Sequence, residues 1–377
     1  MKLYYVSCLS LPTNKAFGIT ITETCKNFAN KMDVILLIPK KKGVKKDDLF
    51  EFYNTDKTFE VKTLNVLDLY EYRFLGSKIP LIIKNVTFSL SLLFLRIKKC
   101  DLIYARDVFS LPFLWFKSRK LFLEIHYLPK KDKILFFLIF FAKKIIVITN
   151  FLKQDFIKIG YKADKILVAP DGVDIDEFEK IKETKEDLRK KLNLPIDKKI
   201  VLYSGHLYSW KGADLLLKVA NNFQNILFVF VGGMEQDIKK FKSEILDLKL
   251  KNVLMIGYRP HNEIPLYLKS ADILVLPNSG KEKISKYYTS PLKLFEYMAS
   301  GVPIIASNLP SIKEILNKNN AIFFNADDSK DLAEKIKFVL KNKEFFDKIA
   351  KQALYDVEQY TWENRVKKIA EFVKLYS

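Results

Sequence analysis

Short apolar runs alternate with helix-like stretches along the whole chain. Six strand-like runs occur in the first half, KLYYVSC, DVILLIP, FEVKTLN, DLIYA, LFLEI and KIIVI, and six in the second, KIVLYS, ILFVFVG, VLMIG, DILVLP, VPIIAS and AIFFN. Helical patterns, for instance at residues 20–31 and 151–159, separate them. This alternation predicts parallel sheets with crossover helices, and strands that are apolar throughout predict sheets covered on both faces.

The pattern divides the chain into two doubly wound α/β halves at the turn APDGVD, which contains Pro170, Asp171 and Gly172. We expect an N-terminal domain over residues 1–170, a second domain over 171–355, and a C-terminal helical segment over 356–377 that crosses back to the first. A length of 377 residues also favours two domains. Ligands of such sheets bind at the carboxyl ends of the strands, so we expect binding residues in the strand-to-helix loops.

Two apolar segments, residues 79–97 and 134–142, raise the question of a membrane span. The second would extend only about 14 Å as a helix, and Lys84, Asn85 and Thr87 interrupt the first. We favour a buried helix for each and expect neither to span. Contact with an anionic leaflet is the alternative, because basic residues flank both segments: Lys78, Arg96, Lys98 and Lys99 around the first, and Lys130, Lys131, Lys133, Lys143 and Lys144 around the second.

Composition adds a strong positive charge. The net charge of +20 indicates a polyanionic partner, such as nucleic acid, an anionic membrane or a phosphorylated substrate, unless it reflects lysines scattered over the surface. Lysines are spread over both halves without a nucleic-acid-binding signature, which disfavours nucleic acid. The three cysteines lie far apart and form no CxxC, so we expect no disulfide framework, no zinc site and a cytoplasmic location.

The stretch YYTSPLKLFEYMASGVP, residues 287–303, is typical of a helix that faces an anion. Ser290 suits the N-cap, Pro291 the first helical position and Gly301 the C-terminal cap, which predicts a helix over residues 291–300. Its N-terminus would attract phosphate, and Thr289 and Ser290 add hydroxyl donors. Glu296, one turn further on, could accept hydrogen bonds from a ribose diol. The alternative is an ordinary capped helix with a Lys293–Glu296 surface pair.

A second candidate is YSGHLYSWKGADLLL, residues 203–217. Gly205 opens the turn after a strand, His206 follows it directly, and Lys211 precedes a helix, from where its ammonium could reach a diphosphate. The spacing is not that of a P-loop. A surface loop with a solvated lysine is the alternative.

Weaker signals come from three other loops. His126 ends the predicted strand LFLEI, and Gly18 lies in a long loop after the first strand, where it would allow a ligand close to the backbone. A histidine bonded to nearby backbone is the alternative for His126. A DxD pair, Asp174 and Asp176, lies in the interdomain turn. Such a pair can hold a metal–nucleotide complex, but at this position we favour a structural role. There is no GxGxxG and no GxSxG.

Taken together, these motifs resemble a family 4 (group 1) retaining glycosyltransferase of the GT-B fold. The resemblance covers nearly the whole sequence, through NKAFGIT, IYARD, EIHYLP, KILVAPDGVD, YSGHLYSWKG, VFVGG, IGYRPHNEIP, ADILVLPNS and SPLKLFEYMASGVPIIASNLPSIKEIL. It implies two Rossmann-like domains facing a central cleft, a UDP- or GDP-linked sugar donor, transfer with retention, and no catalytic metal or other cofactor.

The resemblance also implies roles for individual residues. Those implied to be catalytic are His126, Lys211 and Glu296, with Glu296 holding the ribose and Lys211 the phosphates. The implied donor-binding residues are Gly18, Gly205, His206, Lys211, Gly257, Tyr258, Arg259, Tyr288, Thr289, Ser290, Pro291, Leu292 and Glu296. Three positions depart from the family pattern: Tyr288 replaces a glutamate that contacts the donor sugar, His206 replaces an arginine, and Asp171 replaces an asparagine.

The expected function is transfer of a hexose-type sugar from a nucleotide sugar to a hydroxyl of a glycan or lipid-linked acceptor. The expected location is cytoplasmic, with a peripheral position at the inner face of the membrane as an open alternative. Two further alternatives are a GT-B-fold binder of nucleotide sugars and an epimerase-like enzyme. An epimerase would need paired acid and base carboxylates, and the sequence offers no clear pair.

Overall fold

The computed structural model describes residues 1–45, 47–69, 76, 78–128 and 133–374. The chain forms two compact units, Met1–Pro170 with Trp362–Ser377, and Asp171–Thr361. The boundary lies in the predicted turn at Pro170 and Asp171. The segment that returns to the first unit begins at Trp362 rather than at residue 356.

Within its described residues, the first unit contains seven parallel strands in the order β3-β2-β1-β4-β5-β6-β7. The strands are β1 (Leu3–Val6), β2 (Val34–Pro39), β3 (Glu60–Leu64), β4 (Leu102–Ala105), β5 (Leu121–Ile125), β6 (Lys144–Val147) and β7 (Ile166–Val168). The helices are α1 (Ala16–Ala29), α2 (Asp48–Phe52), α3 (Lys78–Leu92), α4 (Leu111–Trp115), α5 (Lys133–Ile139), α6 (Asn150–Lys158) and α16 (Trp362–Lys374).

Residues 171–361, all of which the structure describes, contain six parallel strands in the order β10-β9-β8-β11-β12-β13. The strands are β8 (Lys199–Ser204), β9 (Ile226–Val231), β10 (Val253–Gly257), β11 (Ile273–Leu276), β12 (Ile304–Ser307) and β13 (Ile322–Phe324). The helices are α7 (Asp176–Glu179), α8 (Lys185–Lys191), α9 (Ala213–Ala220), α10 (Glu235–Asp247), α11 (Ile264–Ser270), α12 (Lys283–Tyr287), α13 (Leu292–Ala299), α14 (Ser329–Lys341) and α15 (Lys343–Asp356).

Both sheets are doubly wound, which confirms the predicted architecture. Buried side chains cover both faces of the second sheet: one cluster includes Leu202 and Val229, and the other includes Val201 and Phe228. This follows from strands such as β9, in which every residue is apolar and buried. In the second unit the strand order reverses between β8 and β11, which makes their carboxyl ends the topological switch point where such sheets bind ligands.

The two apolar segments of the first unit are not buried helices, and that prediction is wrong. Helix α3 buries one face only, made of Pro80, Phe88 and Leu92 together with the polar residues Lys84, Asn85 and Ser89, while α5 buries Ile139. Many other apolar side chains of these helices and of neighbouring segments are exposed, and we call them the apolar face: Ile79, Leu81, Ile82, Val86, Leu90, Leu93, Phe94, Phe116, Ile134, Phe137 and Phe140. Two of the predicted flanking lysines, Lys130 and Lys131, lie outside the described residues.

Candidate functional site

The turn after β8 and the loop after β11 meet at the switch point of the second unit. Gly212, with φ +68°, opens α9. A Cβ on Gly212 would lie 1.9 Å from the carbonyl oxygen of Pro277, so only glycine permits this approach. The N–H of Ser279 donates to the carbonyl of Trp210 at 2.9 Å. The two loops therefore form one connected wall.

The turn itself carries the predicted residues Gly205, His206 and Lys211. Gly205 has φ +119°, which glycine adopts without strain. The Tyr203 hydroxyl donates to the His206 carbonyl at 2.5 Å, and the His206 ring stacks on Tyr208 with centroids 5.2 Å apart. Lys211 ends a short 3₁₀ turn, Ser209–Lys211. The backbone of this turn is thus fixed at both ends.

Helix α13 begins beside this turn. Ser290 does not cap it, so that prediction is wrong: no side chain caps the helix, and the Ser290 hydroxyl accepts the N–H of Asp171 at 3.1 Å. Pro291 precedes the helix with extended backbone, and Gly301 follows its end with φ +67°, as predicted. The Tyr297 hydroxyl accepts the N–H of Ser204 at 2.9 Å. This bond holds α13 against the end of β8.

Four titratable side chains lie between these elements. Lys293 and Glu296 are 5% and 9% exposed, which excludes the alternative of a surface pair. The Lys293 ammonium lies 3.7 Å from the centre of the Tyr203 ring and would be 3.4 Å from a Cβ on Gly205. His261 Nδ1 lies 3.6 Å from Glu296 Oε1. The structure thus brings the two predicted residues Lys211 and Glu296 into one electrostatic cluster with Lys293 and His261.

Burial dominates the electrostatics of this cluster. It lowers the pKa of Lys211 to about 8, against the opposite effect of Glu296. Burial, and then Lys211, lower the pKa of Lys293 well below its usual range, again against Glu296. Burial raises the pKa of Glu296, while His261, Lys293 and Lys211 act to lower it. Charged groups held out of water in this way interact strongly with a bound anion.

The other predicted donor residues lie in the segments that follow β10 and α12 and at the start of α13. Tyr288 directly follows α12, Thr289 is buried and Leu292 begins α13. Gly257 ends β10 with φ +80°. Tyr258 is 41% exposed, whereas the Arg259 Nε donates to the Tyr267 hydroxyl at 3.1 Å. The Arg259 side chain therefore has a protein partner.

His126 belongs to a network of charged side chains in the first unit. Its Nε2 lies at hydrogen-bond distance, 2.6 Å, from Oε1 of the buried Glu124. Arg365 Nη2 lies 3.0 Å from Glu124 Oε2, and Arg106 Nη2 lies 3.6 Å from Oε1. Burial acts to raise the pKa of Glu124, but Arg365, Arg106 and His126 bring it well below its usual range. His126 is therefore held by a carboxylate rather than by backbone.

Gly18 lies inside the first turn of α1 rather than in the predicted loop after the first strand. A Cβ on Gly18 would be 2.0 Å from the Tyr53 hydroxyl. This hydroxyl accepts a hydrogen bond from the Thr13 N–H and donates one to the Thr13 carbonyl, both at 2.9 Å. The space left by the missing side chain is thus filled by Tyr53. The structure gives Gly18 a packing role.

The DxD pair has a structural explanation. Asp174 Oδ1 accepts the N–H of Asp176 at 3.1 Å, as in an Asx turn before α7. Among the residues that the structure describes, no group of three His, Cys, Asp or Glu side chains is placed to hold a metal ion.

The sequence did not identify three residues of these sites: Lys293 as a buried lysine, His261 and Glu124. His261 lies two residues after the predicted Arg259 and Glu124 two residues before His126. Proximity to predicted loop residues was the available signal. Neither burial nor the distance to Glu296 can be read from the sequence.

Comparison with known proteins points to the same elements. Residues 184–354 match the family model described as glycosyl transferases group 1. The matched region lies within the second unit and contains both the turn after β8 and helix α13.

Two curated relatives are named as glycosyltransferases. The chain is 26% identical over 196 residues to TuaC of Bacillus subtilis, named for teichuronic acid biosynthesis, covering 52% of this chain and 46% of TuaC. It is 32% identical over 170 residues to an Escherichia coli protein named UDP-Gal:α-D-GlcNAc-diphosphoundecaprenol α-1,3-galactosyltransferase, covering 43% of this chain and 39% of the relative. The chain thus spans about half the length, or less, of these relatives.

The whole chain resembles a solved structure. The Anabaena protein HepE in complex with UDP superimposes with a TM-score of 0.78 at 18% identity, over 100% of both chains. At this identity the similarity shows the fold. The prediction of the GT-B fold, with two Rossmann-like domains, is confirmed.

Proposed function

We propose that the protein is a retaining glycosyltransferase that transfers a hexose from a UDP- or GDP-linked donor. The observation that carries this proposal is the cluster of Lys211, Lys293 and Glu296 beside α13, at the switch point of the second unit. The match to group 1 glycosyl transferases covers these same residues.

The chemistry follows from the charges. Breaking the sugar–phosphate bond leaves a nucleoside diphosphate with additional negative charge. Lys211 and the N-terminal end of α13 stabilise this charge as it develops, next to the buried side chains of Lys293 and Glu296. Glu296 accepts hydrogen bonds from the ribose hydroxyls. In the retaining reaction, the acceptor hydroxyl attacks from the face that the phosphate leaves, and the phosphate takes its proton.

We propose a glycan or lipid-linked acceptor. The name of the Escherichia coli relative gives it a UDP-galactose donor and a diphosphoundecaprenol-linked acceptor. HepE has also been solved with UDP-glucose. A polyanionic lipid diphosphate would suit a chain with a net charge of +20.

Sugar transfer tests the proposal. Purified protein is incubated with UDP- or GDP-hexoses and a lipid-linked oligosaccharide extract, and NMR of the product gives the anomeric configuration. We expect transfer with retention, and a loss of at least about 100-fold in Lys211→Ala and Glu296→Ala. Lys251→Ala, which removes an exposed lysine of the same unit, is the control. Inverted product, or near-normal turnover in both site variants, would contradict the assignment.

We further propose that the apolar face of the first unit binds an anionic membrane. Helices α3, α4 and α5 are neighbours, since α4 contacts both of the others. The exposed side chains on and after them are large: Phe94 is 88% exposed and Phe137 63%. Among the described residues, no helix is both long enough and apolar enough to cross a bilayer. An apolar face of this size indicates an interface.

Charge selects the partner. Residues 78–100, 111–120 and 133–143, which carry the apolar face, contain ten Lys or Arg residues and no Asp or Glu. Apolar side chains surrounded by basic ones match the headgroup region of an anionic leaflet.

Vesicle flotation tests this surface. We expect binding to vesicles with anionic lipid at low salt, weakened about tenfold or more in Phe94→Ser/Phe137→Ser because each ring loses apolar burial. Leu246→Ser, which changes a 76% exposed apolar residue of the second unit, should bind normally. Absence of binding to anionic vesicles, or self-association that depends on Phe94 and Phe137 without vesicle binding, would contradict the membrane assignment.

A further inference from the structure

Lys293 is an unusual residue for its position. It lies in the first turn of α13 and is 5% exposed. Among the described residues its ammonium has no hydrogen-bond partner. Its identified neighbour is the face of the Tyr203 ring, 3.7 Å from the ammonium to the ring centre. A buried ammonium without acceptors is costly, so a purely structural role would be better served by an apolar side chain.

The direction of the side chain indicates where acceptors would come from. The ammonium lies against Gly205, whose missing side chain leaves it facing the turn after β8. Lys211 lies later in the same turn, at the end of its 3₁₀ segment, and is close enough to lower the pKa of Lys293. Two lysines beside one turn, next to a helix N-terminus, have the charge that suits a diphosphate.

We propose that Lys293 is a second phosphate-binding residue of the donor site, which gains a proton when a nucleoside diphosphate binds. This inference rests on the proposed function. It adds a specific residue and a specific coupling: donor binding is linked to proton uptake.

The charges around Lys293 explain this coupling. The neighbouring titratable groups are Tyr203 on β8, Lys211 on the turn, Glu296 on α13 and His261 beside Glu296. His206 is on the same turn, directly after Gly205 in sequence. In the free protein, burial and Lys211 favour the neutral amine. A diphosphate places at least two negative charges beside both lysines, which outweighs their mutual repulsion. The amine then takes up a proton and donates to a phosphate oxygen.

Calorimetric titration of the whole protein tests this proposal. UDP, GDP, inorganic pyrophosphate and the parent nucleosides are titrated at pH 7 in two buffers with different ionisation enthalpies, which gives the number of protons taken up. For the nucleoside diphosphate that binds, we expect net proton uptake. In Lys293→Met we expect the affinity for that nucleoside diphosphate to fall at least tenfold and fewer protons to be taken up on binding. The affinity for the parent nucleoside should be unchanged. Lys251→Met is the matched control.

Thermal unfolding of the same variants separates function from structure. Methionine replaces the unpartnered ammonium with an apolar chain of similar volume, so Lys293→Met should unfold at an equal or higher temperature. A less stable variant would indicate that Lys293 supports the fold and would overturn the proposal. So would wild-type affinity and proton uptake in a folded Lys293→Met protein, although the proposed function would then stand. If the wild type binds neither UDP nor GDP, the proposed function itself fails.

Discussion

At the scale of single residues, the candidate site depends on charges that are held away from water. Lys211, Lys293 and Glu296 all have pKa values shifted by burial first. Such shifts are costly in the free protein and are typical of functional sites. The binding of an anion relieves the cost, because it adds negative charge beside Lys211 and Lys293 and so favours the protonated form of both.

Donor affinity should depend on pH. Burial lowers the pKa of Lys211 to about 8, and a diphosphate binds the protonated form. Affinity should therefore fall as pH rises above 7, and the fall should steepen above about pH 8, by up to about tenfold per pH unit for each proton required. Dissociation constants measured between pH 7 and 9.5 check this. Lys211→Met should remove the steepening, whereas constant affinity in the wild type would contradict the role of Lys211.

The sequence identified Lys211 and Glu296 because their loops carry recognisable spacing. It did not identify Lys293 as buried, because an isolated lysine in a first helical turn is ordinarily solvated. For Ser290 the sequence predicted a role that the structure does not show. Its position suits an N-cap, but its hydroxyl accepts a hydrogen bond from the N–H of Asp171 instead. Both outcomes depend on residues distant in sequence. The roles predicted for His126 and Gly18 toward a donor remain predictions.

At the scale of elements, most strands could be predicted because burial on both faces leaves a clear apolar run, as in β9. Each of the twelve predicted runs contains a strand within the described part of the chain. One further strand, β7 (Ile166–Val168), was not predicted, because three residues are too few to form a distinct apolar run. It lies just before Pro170, in a stretch that the sequence analysis interpreted only as the domain boundary.

The burial of helices α3 and α5 could not be predicted correctly, because the apolar content of a helix does not show which of its faces packs against the protein. In α3 the buried positions include Lys84 and Asn85, and the exposed positions include Ile82 and Val86. The Lys84 ammonium donates to Ser10 Oγ at 2.6 Å and to Asp68 Oδ2 at 3.1 Å. Polar partners from other segments thus decide which face of α3 packs inward.

At the scale of the whole molecule, both units are doubly wound α/β folds, but they carry different functional features. The family match lies within the second unit, together with the candidate donor site. The first unit carries the apolar face and much of the basic charge around it. We infer that the second unit determines the donor and that the first contributes the membrane contact.

The central claim is that the second unit binds a nucleoside diphosphate sugar, and ligand-induced thermal stabilisation tests it most directly. Unfolding is followed with UDP, GDP, ADP and their sugar conjugates, for the wild type and for Lys211→Ala and Glu296→Ala. One nucleotide series should stabilise the wild type, by about 2.7 kcal/mol at 100 times its dissociation constant. The two variants should lose most of this shift. A wild-type protein that no nucleotide or nucleotide sugar stabilises would contradict the account.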